Sequence, residues 1–264
     1  MMKSAPKLTA NDITQIYKGK SGEDVCAVRN LSLQVGEGEF LSLVGPSGCG
    51  KTTMIKIFAG LLNPTGGSIL VDGRDVTGMP SRDRGVVFQE DAVFPWMTVE
   101  QNIGFGPRVN GLPPVKVREL VSRYVEMVHL TGFEKSLHKE LSGGMRKRVD
   151  IARAYANSPD ILLMDEPFGS LDSQTRSRMQ TELLDIWQSE KKTVIFITHD
   201  LEEAIYLSDR VIVLTARPSQ VWAEMVMPLD RPRTPQLKTT PEFVALRARL
   251  EAQMAEAIRA EHAK

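Results

Sequence analysis

The stretch Gly45-Pro46-Ser47-Gly48-Cys49-Gly50-Lys51-Thr52-Thr53 decides the reading of this chain. It matches GxxxxGK[ST], and it stands directly after the apolar run Phe40 to Val44 and before a helix-like segment, Met54 to Ala59. Strand, glycine-rich loop and helix in that order form a cradle for phosphate. Phosphate oxygens must be met by several backbone N–H groups at once, and glycines permit both the tight turn and the close approach. The helix that follows turns its N-terminal dipole towards the negative charge. Lys51 then reaches the β- and γ-phosphates of a nucleotide, and the Thr52 hydroxyl ligates Mg²⁺. A glycine-rich turn with an exposed lysine is the bland alternative, and the flanking runs weigh against it. Cys49 occupies a variable position in the loop and reads as a small filler.

A second pattern lies further on. Ile161-Leu162-Leu163-Met164-Asp165-Glu166 ends a short apolar run in two carboxylates. Ile161 to Met164 and Val194 to Thr198 are apolar enough for strands buried on both faces, as in a parallel sheet covered by helices. The carboxyl ends of such strands are where α/β sheets bind ligands, so both acids are expected to face the crevice of the cradle. Asp165 there holds Mg²⁺, directly or through water, and Glu166 polarises an attacking water. The alternative is a solvated strand end before a turn at Pro167.

The rest of the chain fits an α/β class. Leu31 to Val35 alternates apolar and polar, Ser68 to Val71 follows the turn-rich Asn63-Pro64-Thr65-Gly66-Gly67, and Gly85 to Phe88 reads as a further strand. After Pro113-Pro114, the residues Val117, Leu120, Val121, Tyr124 and Val128 mark one buried helix face. From about Leu229 the character changes. Pro228, Pro232, Pro235 and Pro241 interrupt the chain, and then Phe243, Leu246, Leu250, Met254 and Ile258 recur at helical spacing. About 25 residues cannot bury a core alone, so this helix is expected to dock as an end-cap.

Composition excludes several classes. Of 264 residues 42% are apolar and 25% charged, which rules against disorder and fibrous repeats. Thirty-three basic residues balance 33 acidic ones, so no basic field holds nucleic acid. Cys26 and Cys49 cannot build a disulfide framework and suit a reducing cytosol. The longest apolar runs, such as Val211 to Leu214, fall far short of the roughly 20 residues that cross a bilayer. Met1, Met2, Lys3 and Ser4 lack the apolar core of a signal peptide. A soluble cytosolic protein is expected, with any membrane role exerted through a partner.

Leu141-Ser142-Gly143-Gly144-Met145, ahead of a helical segment Arg146 to Ala156, resembles the LSGGQ signature of ATP-binding-cassette ATPases, the motor subunits of ABC transporters. Other elements resemble that family in the same order. Gln89 is similar to the Q-loop glutamine, Ser170-Leu171-Asp172 to the D-loop, and His199, in Ile197-Thr198-His199-Asp200, to the switch histidine. Tyr17 lies where the family places an aromatic that stacks on adenine. Each has a bland reading: a structural histidine or glutamine, a core tyrosine, a helix start capped by Ser142. Order and spacing together carry the resemblance, which spans roughly residues 7 to 228.

Within the family, the chain resembles the importers of nitrate, taurine and aliphatic sulfonates. They share Met in place of Gln at the position of Met145, a stretch like Phe94-Pro95-Trp96-Met97-Thr98-Val99, and one like Asp165-Glu166-Pro167-Phe168-Gly169-Ser170-Leu171-Asp172. Arg231-Pro232-Arg233 and Pro241-Glu242-Phe243 also fit that group. With so short a tail, a regulatory domain like that of the sugar importers is not expected. The resemblance implies a P-loop NTPase of the ABC ATPase fold: a RecA-like mixed sheet core with an antiparallel β subdomain, and a helical subdomain at about 90–158. Residues 229–264 are then a tail with an amphipathic helix.

It further implies ATP and Mg²⁺, the metal held by Thr52, Gln89 and Asp165, with Glu166 as general base and His199 steadying the γ-phosphate. Ser142, Gly143 and Gly144 of a second copy close over the nucleotide, and permease subunits at the inner membrane receive the loop at Pro95-Trp96, with a solute-binding protein beyond them. Burial of Phe94-Pro95-Trp96 in the core is the alternative for that loop. The rival functions are a soluble ABC ATPase outside transport and a regulator that binds nucleotide without hydrolysing it. No NKxD motif points to a GTPase.

Overall fold

Short apolar runs become strands and periodic segments become helices. Their order is β1 (Leu8–Tyr17), β2 (Val25–Val35), β3 (Phe40–Val44), α1 (Lys51–Phe58), β4 (Gly66–Val71), β5 (Arg74–Asp75) and β6 (Arg84–Val87). There follow α2 (Val99–Ile103), α3 (Phe105–Val109), α4 (Pro114–Met127), α5 (Gly143–Ala156), β7 (Ile161–Asp165) and α6 (Ser173–Glu190). The chain ends with β8 (Thr193–Ile197), α7 (Leu201–Leu207), β9 (Arg210–Leu214), β10 (Val221–Val226) and α8 (Pro241–His262). The computed structural model describes residues 5–19, 23–90 and 92–262. Met1, Met2, Lys3 and Ser4, read above for a signal peptide, lie outside the described residues. No helix among the described residues is long and apolar enough to cross a membrane.

The chain divides into two compact units, Met1–Ser81 with Lys191–Lys264, and Arg82–Glu190. In the first unit β1 pairs antiparallel with both β2 and β4, and β4 with β5. The alternation of β1 is broken by register shifts between Ala10 and Ile13, where Asp12 takes a left-handed φ of 49°. Beside this antiparallel layer, β3 runs parallel to both β8 and β9, with β10 antiparallel against β9. Every residue of β8 is buried, as the run Val194 to Thr198 predicts, and so is every residue of β3, Ser42 included; the Phe40 and Phe196 rings lie 5.7 Å apart. In the second unit β6 and β7 are parallel, and α2, α4 and α6 pack on α5.

Several boundaries and faces differ from the sequence reading. The helix after the cradle starts at Lys51 rather than Met54, because the loop feeds directly into its first turn. The helix after the signature starts at Gly143 rather than Arg146. On α4, Val117, Tyr124 and Val125 are buried, as is Val128 at its end, but Leu120 and Val121 are half-buried. Val121 lines an open cavity of about 720 Å³ and so keeps one side free. The α8 helix packs on α7, β9 and β10 through Phe243, Leu246, Leu250 and Ala257, while Ile258 is exposed. Heptad spacing keeps Phe243, Leu250 and Ala257 in one line, and Ile258 stands about 100° round from it.

Candidate functional site

The first unit builds the cradle at the carboxyl end of β3. Gly48 and Gly50 take left-handed φ values of 74° and 114°, so the loop turns sharply before α1. A Cβ on Gly50 would also come within 3.0 Å of the Ala27 carbonyl oxygen, which makes glycine obligatory there. Gly50 is the N-cap of α1 and offers no side-chain acceptor, so no cap competes for the first-turn N–H groups. Gly45 is buried, Pro46 half-buried, and Ser47 and Gly48 exposed. Lys51 is only 6% exposed, and its ammonium lies back across the loop, donating to the carbonyls of Gly45 (2.8 Å) and Pro46 (3.0 Å). Thr52 is exposed on the first turn. Cys49 is enclosed, as a filler should be, and burial pushes its thiol pKa up.

Two further sequence candidates lie at the cradle's end of this unit. The Tyr17 hydroxyl is 3.1 Å from Thr53 Oγ1, with the tyrosine 41% exposed, so it is not a core residue. His199 follows β8, whose Ile197 pairs with Leu43 of β3; the Thr198 N–H donates to the Leu43 carbonyl at 3.3 Å. The exposed histidine therefore emerges at the same sheet end as the cradle. Sequence reasoning missed Arg217, whose Nε and Nη2 donate to the Gly48 carbonyl at 3.2 and 2.8 Å. Its only sequence trace is a cation in a loop.

The second unit carries the remaining candidates. Val87 of β6 pairs with Met164 of β7, so Gln89 and Asp165 leave neighbouring strands at the same end. Asp165 is 4% exposed and Glu166 half-buried. Glu166 takes φ 44°, a left-handed conformation that costs about 1–2 kcal/mol outside glycine, and its carbonyl accepts the Gly169 N–H at 3.1 Å. Such strain gathers at functional positions. A Cβ on Gly169 would lie 3.7 Å from both Gln89 Nε2 and Glu166 Oε2, so the amide and the carboxylate converge on one spot. Thr52, Gln89 and Asp165 all offer hard oxygen donors, which suit Mg²⁺.

Ser142 is the N-cap of α5, its Oγ accepting the Met145 N–H at 3.3 Å. With Gln at 145 the segment would form a reciprocal capping box; Met keeps only the Ser142 half. Gly144 is required by packing, since a Cβ would sit 2.8 Å from Thr175 Cγ2, whereas Gly143 has no such neighbour. Asp172 caps α6, its Oδ1 accepting the N–H groups of Gln174 and Thr175, bonds that hold its pKa below the usual range.

The loop after Gln89 settles one alternative. Trp96 is 69% exposed, so it is not core. It stacks on Phe94 at 5.5 Å, and Phe94 meets the edge of Phe105 and the guanidinium of Arg153 at 4.9 and 5.0 Å. Asn102, unremarked in the sequence, fixes the loop by accepting from Phe94 N and donating to the carbonyls of Phe94, Met97 and Thr98.

Comparison with known proteins gives this geometry a family. Residues 28–169, more than half the chain, match the family described as ABC transporter. An ATP-binding protein of Brucella abortus is 51% identical over 93% of this chain and 92% of its own. The aliphatic sulfonates import ATP-binding protein SsuB of Bacillus thuringiensis is 44% identical over 92% and 94%. The nitrate import ATP-binding protein NrtD of Synechocystis is 45% identical over 89% and 90%. Among solved structures, the ATP-binding cassette MJ0796, a dimer in a post-hydrolysis state bound to ADP and Pi, superposes with TM-score 0.73 at 32% identity, covering 84% of this chain and all of that one. With its cradle, strand-end carboxylates and capped signature helix, the chain belongs to the ATP-binding-cassette ATPases of the ABC transporter family.

Proposed function

We propose that this ATPase is the motor of an ABC importer, seated at the cytoplasmic face of the inner membrane and driving uptake of a small solute such as nitrate, taurine or another sulfonate. The observation that carries the importer reading is the near end-to-end likeness to ATP-binding proteins named for nitrate and sulfonate import. The exposed Pro95 and Trp96 support it, since an apolar patch in a loop hydrogen-bonded to Asn102 suits docking by permease subunits. The solute itself belongs to those subunits and to a solute-binding protein.

The roles of the residues follow from their chemistry. Tyr17 stacks on adenine, while the N–H groups of the cradle and Lys51 take the phosphates. Lys51 needs only to exchange two carbonyl acceptors for phosphate oxygens. Thr52, Asp165 and Gln89 would hold Mg²⁺, which would supply positive charge against the phosphates. Glu166 takes a proton from water as its oxygen bonds to the γ-phosphorus; the bond to the bridging oxygen breaks, and ADP leaves with that electron pair. His199 steadies the γ-phosphate. Ser142, Gly143 and Gly144 of a second copy present the N-terminus of α5 to the same phosphate, so ATP joins two subunits and hydrolysis parts them.

The test is Glu166→Gln. Turnover should fall about 10²–10⁴-fold, as for a lost general base, while ATP binding persists and light scattering shows a dimer that depends on MgATP. Brisk hydrolysis removes Glu166 from its role, and a monomer under saturating MgATP refutes the shared site.

A further inference from the structure

His199 is followed by Asp200, the N-cap of α7, whose Oδ1 accepts the Glu203 N–H at 3.1 Å. A helix of seven residues is far below the length that holds in isolation, so its place is set by its buried face and by what is tied to its ends. Its carboxyl end leaves carbonyls without intrahelical partners. Two arginines from the segment after β10 fill them. Buried Arg233 donates from Nη1 to the carbonyls of Ile205 (3.1 Å), Tyr206 (3.0 Å) and Ser208 (2.8 Å). Its Nε and Nη2 reach the Leu229 carbonyl at 3.3 and 3.0 Å. Arg231 Nη2 donates to the Leu207 carbonyl at 2.7 Å and to Asp209 Oδ1 at 2.8 Å.

The same segment returns along the helix. The Tyr206 hydroxyl donates to the Arg233 carbonyl at 3.3 Å, the Lys238 ammonium lies 4.7 Å from the centre of the Tyr206 ring, and Arg247 pairs with Glu202 in the first turn. Desolvation and the adjacent Arg231 push the Arg233 pKa down to about 10, which leaves it charged at neutral pH and favourable at the negative end of a helix.

We propose that this cationic strap, with Arg233 as its positioning residue, sets the place of His199 through α7, so that the segment after β10 governs the hydrolytic step. The inference rests on the role proposed above for His199. Lys51 and the cradle have bonds of their own, to Gly45, Pro46 and Gly48, so loosening the strap should slow hydrolysis without weakening nucleotide binding.

The experiment is steady-state ATP hydrolysis by the full chain carrying Arg233→Met, His199→Ala, or both. Arg233→Met should lower kcat about tenfold, as a displaced catalytic group does, with KM for MgATP within about twofold. In the His199→Ala background the same substitution should change kcat no further. Lys238→Met, a milder release, should give a smaller loss of the same kind, and it alone decides if Arg233→Met fails to fold. An equal fold-loss from either substitution with and without His199 marks the strap as merely structural and overturns the inference, as does full kcat in both single variants. A His199→Ala variant that hydrolyses at the parental rate overturns the histidine's role and the strap with it.

Discussion

Lys147 is the deepest cation of the second unit and the place where a single side chain should cost most. It is fully buried on α5; its ammonium donates to the carbonyls of Phe88 (3.0 Å) and Gln89 (3.2 Å) and lies 3.7 Å from Oδ2 of buried Asp150. Lys147→Met keeps most of the stem and removes the charge. Hydrogen bonds to charged groups contribute about 1.5–3 kcal/mol each, and deleting one partner of a buried ion pair costs about 3–5 kcal/mol. These effects overlap, and Arg153 still holds Asp150 Oδ1 at 3.1 Å, so a net loss of about 3 kcal/mol is expected. For a chain of this size that lowers Tm by about 6–12 °C. Urea unfolding followed by the fluorescence of Trp187, buried on α6 in the same unit, measures it. Adding Asp150→Asn should recover about 1–2 kcal/mol, since the charge left behind is then neutralised. A loss below about 1 kcal/mol for Lys147→Met would refute the reasoning, because the ammonium would then not be the tie between α5 and the backbone at Gln89.

Trp96→Ala should change stability by no more than about 0.5 kcal/mol, because the ring is mostly in solvent. On the proposed importer role it should also abolish stimulation of hydrolysis by permease subunits; full stimulation in a reconstituted transporter would free Trp96 from that contact. The Cys49 thiol, its pKa raised by burial, should react with iodoacetamide more slowly than half-buried Cys26 at pH 8, as mass spectrometry of the labelled peptides would show. The sign of its linkage follows: the folded chain keeps a proton that the unfolded chain releases, so stability falls as pH rises through the ordinary thiol range. Cys49→Ala should flatten that slope in urea titrations between pH 8 and 10, and an unchanged slope would assign it to other groups.

What could be read in advance depended on whether the chemistry sits in consecutive residues. A phosphate cradle is made by adjacent N–H groups on one loop, so Gly45 to Thr53 spells it without help from the fold, and the mostly apolar runs of β7 and β8 announce buried parallel strands just as directly. The first strand, β1, was hidden because its register shifts at Asp12, where the left-handed backbone breaks the alternation on which a strand is recognised. Trp96 stood open between core and surface, because a short apolar loop looks the same in either place.

The cations were the least legible. In Arg146-Lys147-Arg148 nothing in the sequence singles out the middle cation, yet it is fully enclosed and serves a backbone 58 and 59 positions away. Arg233 is likewise spent on carbonyls 25 to 28 positions back, from a proline-broken stretch of the tail. Both ties are long-range because their acceptors are backbone carbonyls, which every residue possesses and which therefore leave no mark on composition or spacing. Residues that bind a ligand must match its chemistry and so advertise themselves. Residues that hold those ligand-binding groups in place need only reach a carbonyl, and the fold alone determines which of them do.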